Sequence, residues 1–135
     1  MKLRREFRTG IINIIYKYEL LALTLNPSVI FENESDLNSD QFNQLELIAK
    51  NYDYYKKIII KFLNNNNWDK ISPLIRAILI NASHELMTID PKIVINEAIE
   101  ITKSFFDTEA NLYKFVNAIL ENIYKYYVIN EAISH

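Results

Sequence analysis

Residues 72–100 read SPLIRAILINASHELMTIDPKIVINEAIE, and this stretch decides the fold class. It carries one start signal twice. Ser72 precedes Pro73, and Asp90 precedes Pro91. In each pair a side-chain oxygen stands ready to accept from the free N–H groups of a helix's first turn. The proline that follows lacks an N–H that the first turn would leave unpaired anyway. After each signal the apolar residues fall at helical spacing. Leu74, Ile75, Ile78, Leu79, Ala82 and Leu86 form one stripe, and Ile93, Val94, Ala98, Ile99 and Ile101 form the next.

The same period extends in both directions. Leu112, Phe115, Val116, Ile119, Leu120, Ile123 and Tyr127 predict a last long helix, with Thr108 as its cap. Upstream, the four asparagines at 64–67 read as a linker, because Asn favours turns over helix interiors. Residues 40–63 predict a helix pair, with a break near Lys50–Asp53 left open by the sequence, and 25–40 reads as a loop around Asn26-Pro27 and a polar cluster. Residues 3–24 predict the first helix, on Phe7, Ile11, Ile14, Ile15, Tyr18, Leu21 and Ala22. Gly10 lies inside it at a cost of about 1 kcal/mol relative to Ala, and close packing of another helix is the expected reason. With one Gly, three Pro and no alternating strand pattern, the class is all-α. We expect one domain of six to seven helices in two small subdomains, approximately 1–66 and 67–135.

Composition narrows the chemistry. The chain has no cysteine, which excludes a disulfide, a thiol nucleophile and a thiolate metal site and fits a reducing, cytoplasmic setting. No apolar run approaches the ~18 residues of a membrane span. His84 is the one internal histidine, and it reads as a polar tip near a helix end. Glu97 and Glu100 stand three apart without the Glu-x-x-His motif of a bundle metal site, and they read as a solvated face. There is no Gly-rich phosphate loop and no nucleophile motif. Tyr124, Tyr126 and Tyr127 read as packing residues. Catalysis is hard to build from these residues, and none of them forms a cofactor-binding motif.

One stretch resists the bland reading. Lysine outnumbers arginine 11 to 4 here, consistent with drift toward A/T-rich codons, yet three of the four arginines fall in MKLRREFR (1–8). Those eight residues carry +3 in side chains; with a total of -2, the rest of the chain carries -5. A helix beginning near residue 3 turns its positive dipole end toward Arg4, Arg5 and Arg8, where cations cost about 0.3–1 kcal/mol each. An anion facing them would reverse that sign. Arg5 and Arg8 share a helix surface, and Tyr16 lies about three turns beyond Arg5 and nearly in line. Guanidiniums for phosphate and a ring for a base suit single-stranded nucleic acid. The competing reading is a basic chain start with Tyr16 at the core margin.

Three blocks in order bring a family into view: PLIRAILINASHELM (73–87), VINEAIEITKSF (94–105) and YKFVNAILENI (113–123). They resemble the NusB family of transcription antitermination factors, and RREFRTGIINIIYKYEL (4–20) resembles that family's arginine-rich start. The resemblance implies an all-α fold of two helical subdomains and a binding role without catalysis. It implies a pairing with NusE, a small-subunit ribosomal protein, and joint binding of single-stranded boxA RNA in ribosomal RNA leaders. It further implies a place in the RNA polymerase antitermination complex, and both monomer and homodimer as states of the free protein. Carried over by position, the family's RNA contacts fall on Arg4, Arg5, Arg8, Tyr16, Lys114 and Phe115. Phe115 fits the core equally well on its spacing to Val116 and Ile119. Asn96 and Glu97 read as residues that fix neighbouring backbone. The chain departs from the family pattern at Thr9, Ile80 and Ala118, and over 25–65. A NusB-fold interaction module without RNA recognition is the alternative.

Overall fold

A computed structural model describes residues 2–64, 67–106 and 111–130. The described residues form seven α-helices: α1 (Lys2–Leu20), α2 (Pro27–Asn33), α3 (Ser39–Lys50), α4 (Tyr52–Lys61), α5 (Pro73–Glu85), α6 (Pro91–Phe106) and α7 (Leu112–Ile129). A 3-10 turn, Trp68–Lys70, precedes α5. The fold is all-α, and no described helix is long and apolar enough to cross a membrane.

The start signals act as their chemistry dictates. Ser72 accepts from the Leu74 N–H with Pro73 at the first helical position, and Asp90 accepts from the Lys92 N–H before α6. Two expectations need correction. The segment 25–40, read as a loop, contains α2, whose cap Asn26 accepts from the Ser28 and Val29 N–H groups ahead of Pro27. The first helix stops at Leu20, short of residue 24, and Ala22 takes a left-handed φ of 56°. Leu21 and Leu23 are more than half exposed, so no burial holds the helix together beyond Leu20. The break in 40–63 falls at Asn51. Thr108 and the middle of the 64–67 stretch lie outside the described residues.

One continuous core joins both halves, drawing Ile11 and Ile15 from α1, Ile58 and Ile59 from α4, Ile78 and Leu79 from α5, and Leu120 and Ile123 from α7. α5 is its axis, with Ile75 through Ser83 all buried. α1 runs antiparallel to α5, and an ion pair closes each end. Arg8 Nε lies 2.6 Å from Glu85 Oε1, and Arg76 Nε lies 2.8 Å from Glu19 Oε1. The charges are placed reciprocally. In a parallel arrangement Arg8 would face Arg76 and Glu19 would face Glu85, so the pattern favours one docking sense over the other. Arg76 also donates to the carbonyls of Trp68, Ile71 and Glu19, which ties the 3-10 turn and the end of α1 to α5.

Gly10 is the close contact that its position predicted. A Cβ there would lie 2.4 Å from Gln41 Nε2 of α3. Gln41 crosses at that point to donate to the Phe7 carbonyl, while its Oε1 and backbone N–H complete a capping box with Asn38.

Candidate nucleic-acid interface

The site grows from the first two turns of α1. Arg4 and Arg5 are exposed, and Arg8, one turn on, is 3% exposed. The anion that these cations require is in two cases a carboxylate of the same chain. Arg5 grips Glu97 of α6 with two parallel bonds, Nε to Oε1 at 3.0 Å and Nη2 to Oε2 at 2.8 Å. This fork holds the Glu97 carboxyl below its ordinary pKa, and Glu97 in turn raises that of Arg5. Arg8 points inward to Glu85, itself buried; Glu85 also accepts from Gln44, which bonds Asn81.

Arg8 therefore departs from its expected place. The resemblance places it among the RNA contacts, and the structure seats it on the inner face of α1 as the partner of a buried carboxylate. The helical period explains why. Arg8 stands three residues before Ile11 and four before Ile12, on the face that enters the core; Arg4 and Arg5 share that side of the helix but lie a turn nearer its N-terminal end, where they are exposed. Glu97 also differs from its expected role, since it binds a side chain rather than neighbouring backbone. An acidic residue within an otherwise apolar stretch was the available signal. The chain offers 17 acidic residues, and nothing local says which one a given arginine meets.

Tyr16 is half-buried and packs at the core margin. Lys114 is exposed, and Phe115 beside it is half-buried against the core. Both lie in the first turn of α7, which runs antiparallel to α6. Lys103 Nζ of α6 sits 4.7 Å from the Tyr113 ring, while Lys92 and Tyr124 line one surface cleft near the opposite ends of the two helices. α6 thus links the two candidate groups: it holds Arg5 through Glu97 and carries α7 on another face.

Other polar groups bond within the fold. His84 Nδ1 lies 2.8 Å from the Tyr55 hydroxyl, and burial lowers its pKa. Tyr55 is pushed up to about 12 by burial. Tyr127 is buried, and its hydroxyl donates to the Ser83 carbonyl. No group of three or more His, Asp or Glu among the described residues could hold a metal ion.

Fold and face together define a class: an all-α protein whose first helix presents arginines beside an antiparallel helix pair. The sequence profile of the NusB family matches residues 5–125. The transcription antitermination protein NusB of Exiguobacterium sp. is 33% identical over 128 residues, which cover 90% of this chain and 97% of that protein. The protein of the same name from Staphylococcus haemolyticus is 32% identical over 127 residues, covering 89% and 98%. The solved structure of T. maritima NusB superposes with a TM-score of 0.73 at 25% identity, over 90% of each chain. The chain belongs to the NusB family.

Proposed function

We propose that this protein is a transcription antitermination factor that binds boxA-like single-stranded RNA together with NusE, as part of the polymerase antitermination complex in the cytoplasm. Arg4, Arg5 and Lys114 hold phosphates, and Tyr16 and Phe115 meet bases. Arg8 fixes the helix that presents them. The observation that carries this reading is the Arg5 fork. A guanidinium that grips a carboxylate with two parallel bonds, while 45% exposed, offers the geometry that grips a phosphate. It stands near the N-terminal end of α1, where the helix dipole adds to the attraction for an anion.

The test is fluorescence anisotropy with boxA-like and scrambled RNA, each with and without NusE. Arg4→Ala with Arg5→Ala lowers affinity and flattens the dependence of log K on log salt by about 1.4, at roughly 0.7 per phosphate contact on a single strand. Unchanged affinity with an unchanged slope refutes the assignment.

One observation favours a second reading, an interaction module that has dropped RNA recognition. Two of the three clustered arginines already have carboxylate partners within the chain. Binding of NusE without binding of RNA would select it. A homodimer that covers the arginine end of α1 would store the protein in an inactive form, and a dimer that binds RNA as well as the monomer does rules that out.

A further inference from the structure

Arg8 poses a problem that its ion pair with Glu85 does not solve. Its Nη1 and Nη2 atoms are buried and have no hydrogen-bond partner among the described residues. Buried guanidinium N–H groups are rarely left this way, because each forfeits its bonds to water without replacement. One carboxylate is near enough to help. Glu97 Oε1 lies 4.0 Å from Arg8 Nη1, too far for a hydrogen bond, and that same oxygen accepts from Arg5 Nε at 3.0 Å. Two arginines thus share one carboxylate, the exposed one holding it and the buried one left short. Closing the gap to an ordinary bond of about 2.9 Å needs a shift of only about 1 Å. Side-chain rotation of Glu97 can supply that shift once Arg5 releases it.

We infer that Glu97 is a positioning residue shared by exchange: it braces Arg5 in the free protein and passes to the buried edge of Arg8 when an RNA phosphate takes Arg5. The exchange rests on the RNA-binding reading above. Its physical advantage is that no carboxylate is stranded. A phosphate that displaced Glu97 from Arg5 with nothing to receive it would leave an unpaired charge on a residue only 16% exposed. With Arg8 as receiver, the bond lost at the surface is replaced by one that fills an empty place beneath it. The phosphate therefore meets an arginine already extended and already ordered, which lowers the entropic cost of binding.

Two measurements on the full chain decide the matter. The first is a thermal-unfolding cycle over wild type, Arg5→Ala, Glu97→Gln and the double variant, with no RNA present. If Glu97 passes to Arg8 once Arg5 is gone, Glu97→Gln lowers Tm by about 2 °C or more in the Arg5→Ala background. If Glu97 serves Arg5 alone, that substitution is neutral there, and the exchange is overturned. The second is NMR of the Arg8 side-chain N–H groups. The Nη protons become protected from exchange in Arg5→Ala, and wild type saturated with boxA-like RNA shows the same signature. RNA that binds while the Arg8 signals stay unchanged overturns the exchange and leaves the RNA reading standing. RNA that fails to bind overturns the phosphate half together with that reading, and the Arg5→Ala cycle still decides whether Glu97 reaches Arg8.

Discussion

Arg8→Met is the sharpest test of how this face is built. The substitution removes the charge, keeps most of the side-chain volume, and leaves Glu85 buried opposite a thioether. Removing one partner of a buried ion pair costs about 3–5 kcal/mol, because the remaining charge keeps its desolvation penalty and loses its compensation. Glu85 retains one donor, Gln44 Nε2 at 3.2 Å, so the expected cost lies near the lower end, about 3 kcal/mol. A chain of this length is worth roughly 7–20 kcal/mol in total, so the loss is a substantial fraction. The assay is equilibrium unfolding in urea, where the midpoint falls while the slope m holds. The companion variant, Arg8→Met with Glu85→Leu, removes both charges and stays within about 1 kcal/mol of wild type, as apolar replacement of buried pairs often does. A single variant costing under about 1 kcal/mol refutes the reasoning, as does a double variant that costs more than the single one.

Three further outcomes follow from the same geometry. Gly10→Ala costs up to about 1 kcal/mol in wild type, because the new Cβ displaces Gln41 from the Phe7 carbonyl; with Gln41→Ala already present it stabilises by about 1 kcal/mol through helix propensity, and denaturation of the four proteins shows whether the sign changes. His84 is held neutral by burial, and the unfolded chain takes up its proton near pH 6.5, so its share of stability is full above that pH and declines as pH falls below it; His84→Gln should flatten the melting profile between pH 7 and 5, and an unaltered slope would show that the imidazole is not buried as described. The Glu97 carboxyl, depressed by Arg5, contributes stability that is present above about pH 4.3 and lost as pH falls through its lower folded value; Glu97→Gln removes that part of the acid limb, measurable as a smaller difference in midpoint between pH 5 and pH 2.5.

What the sequence made legible, and what it hid, divides along the range of the interactions. Ser72-Pro73 and Asp90-Pro91 announced two helices because the cap and the proline are neighbours and a long apolar stripe follows. Asn26-Pro27 carries the same chemistry but opens a helix of seven residues that buries only Ile30. With no stripe to confirm it, the pair read as a turn. The end of α1 is hidden for the converse reason: Leu21 continues the period yet finds nothing to pack against. At the site, the helix dipole pointed toward an anion beside the arginines. Its identity was not legible, because Glu85 and Glu97 lie 77 and 92 residues away from their partners. Local spacing specifies which face a residue occupies; it does not say what another helix brings to that face.

The reciprocal ion pairs at the two ends of α1 and α5 also bear on the order in which the molecule assembles. α5, α6 and α7 follow one another in the chain, so contacts among them close short loops. α1 must instead reach back across 57 residues to set Glu19 against Arg76, and across 77 to set Arg8 against Glu85. Contacts so distant are entropically slow to form. The arginine-bearing helix is thus the element whose docking waits on the rest. During synthesis its apolar face, with Ile11, Ile12 and Ile15, leaves the ribosome long before the α5 surface that will cover it exists.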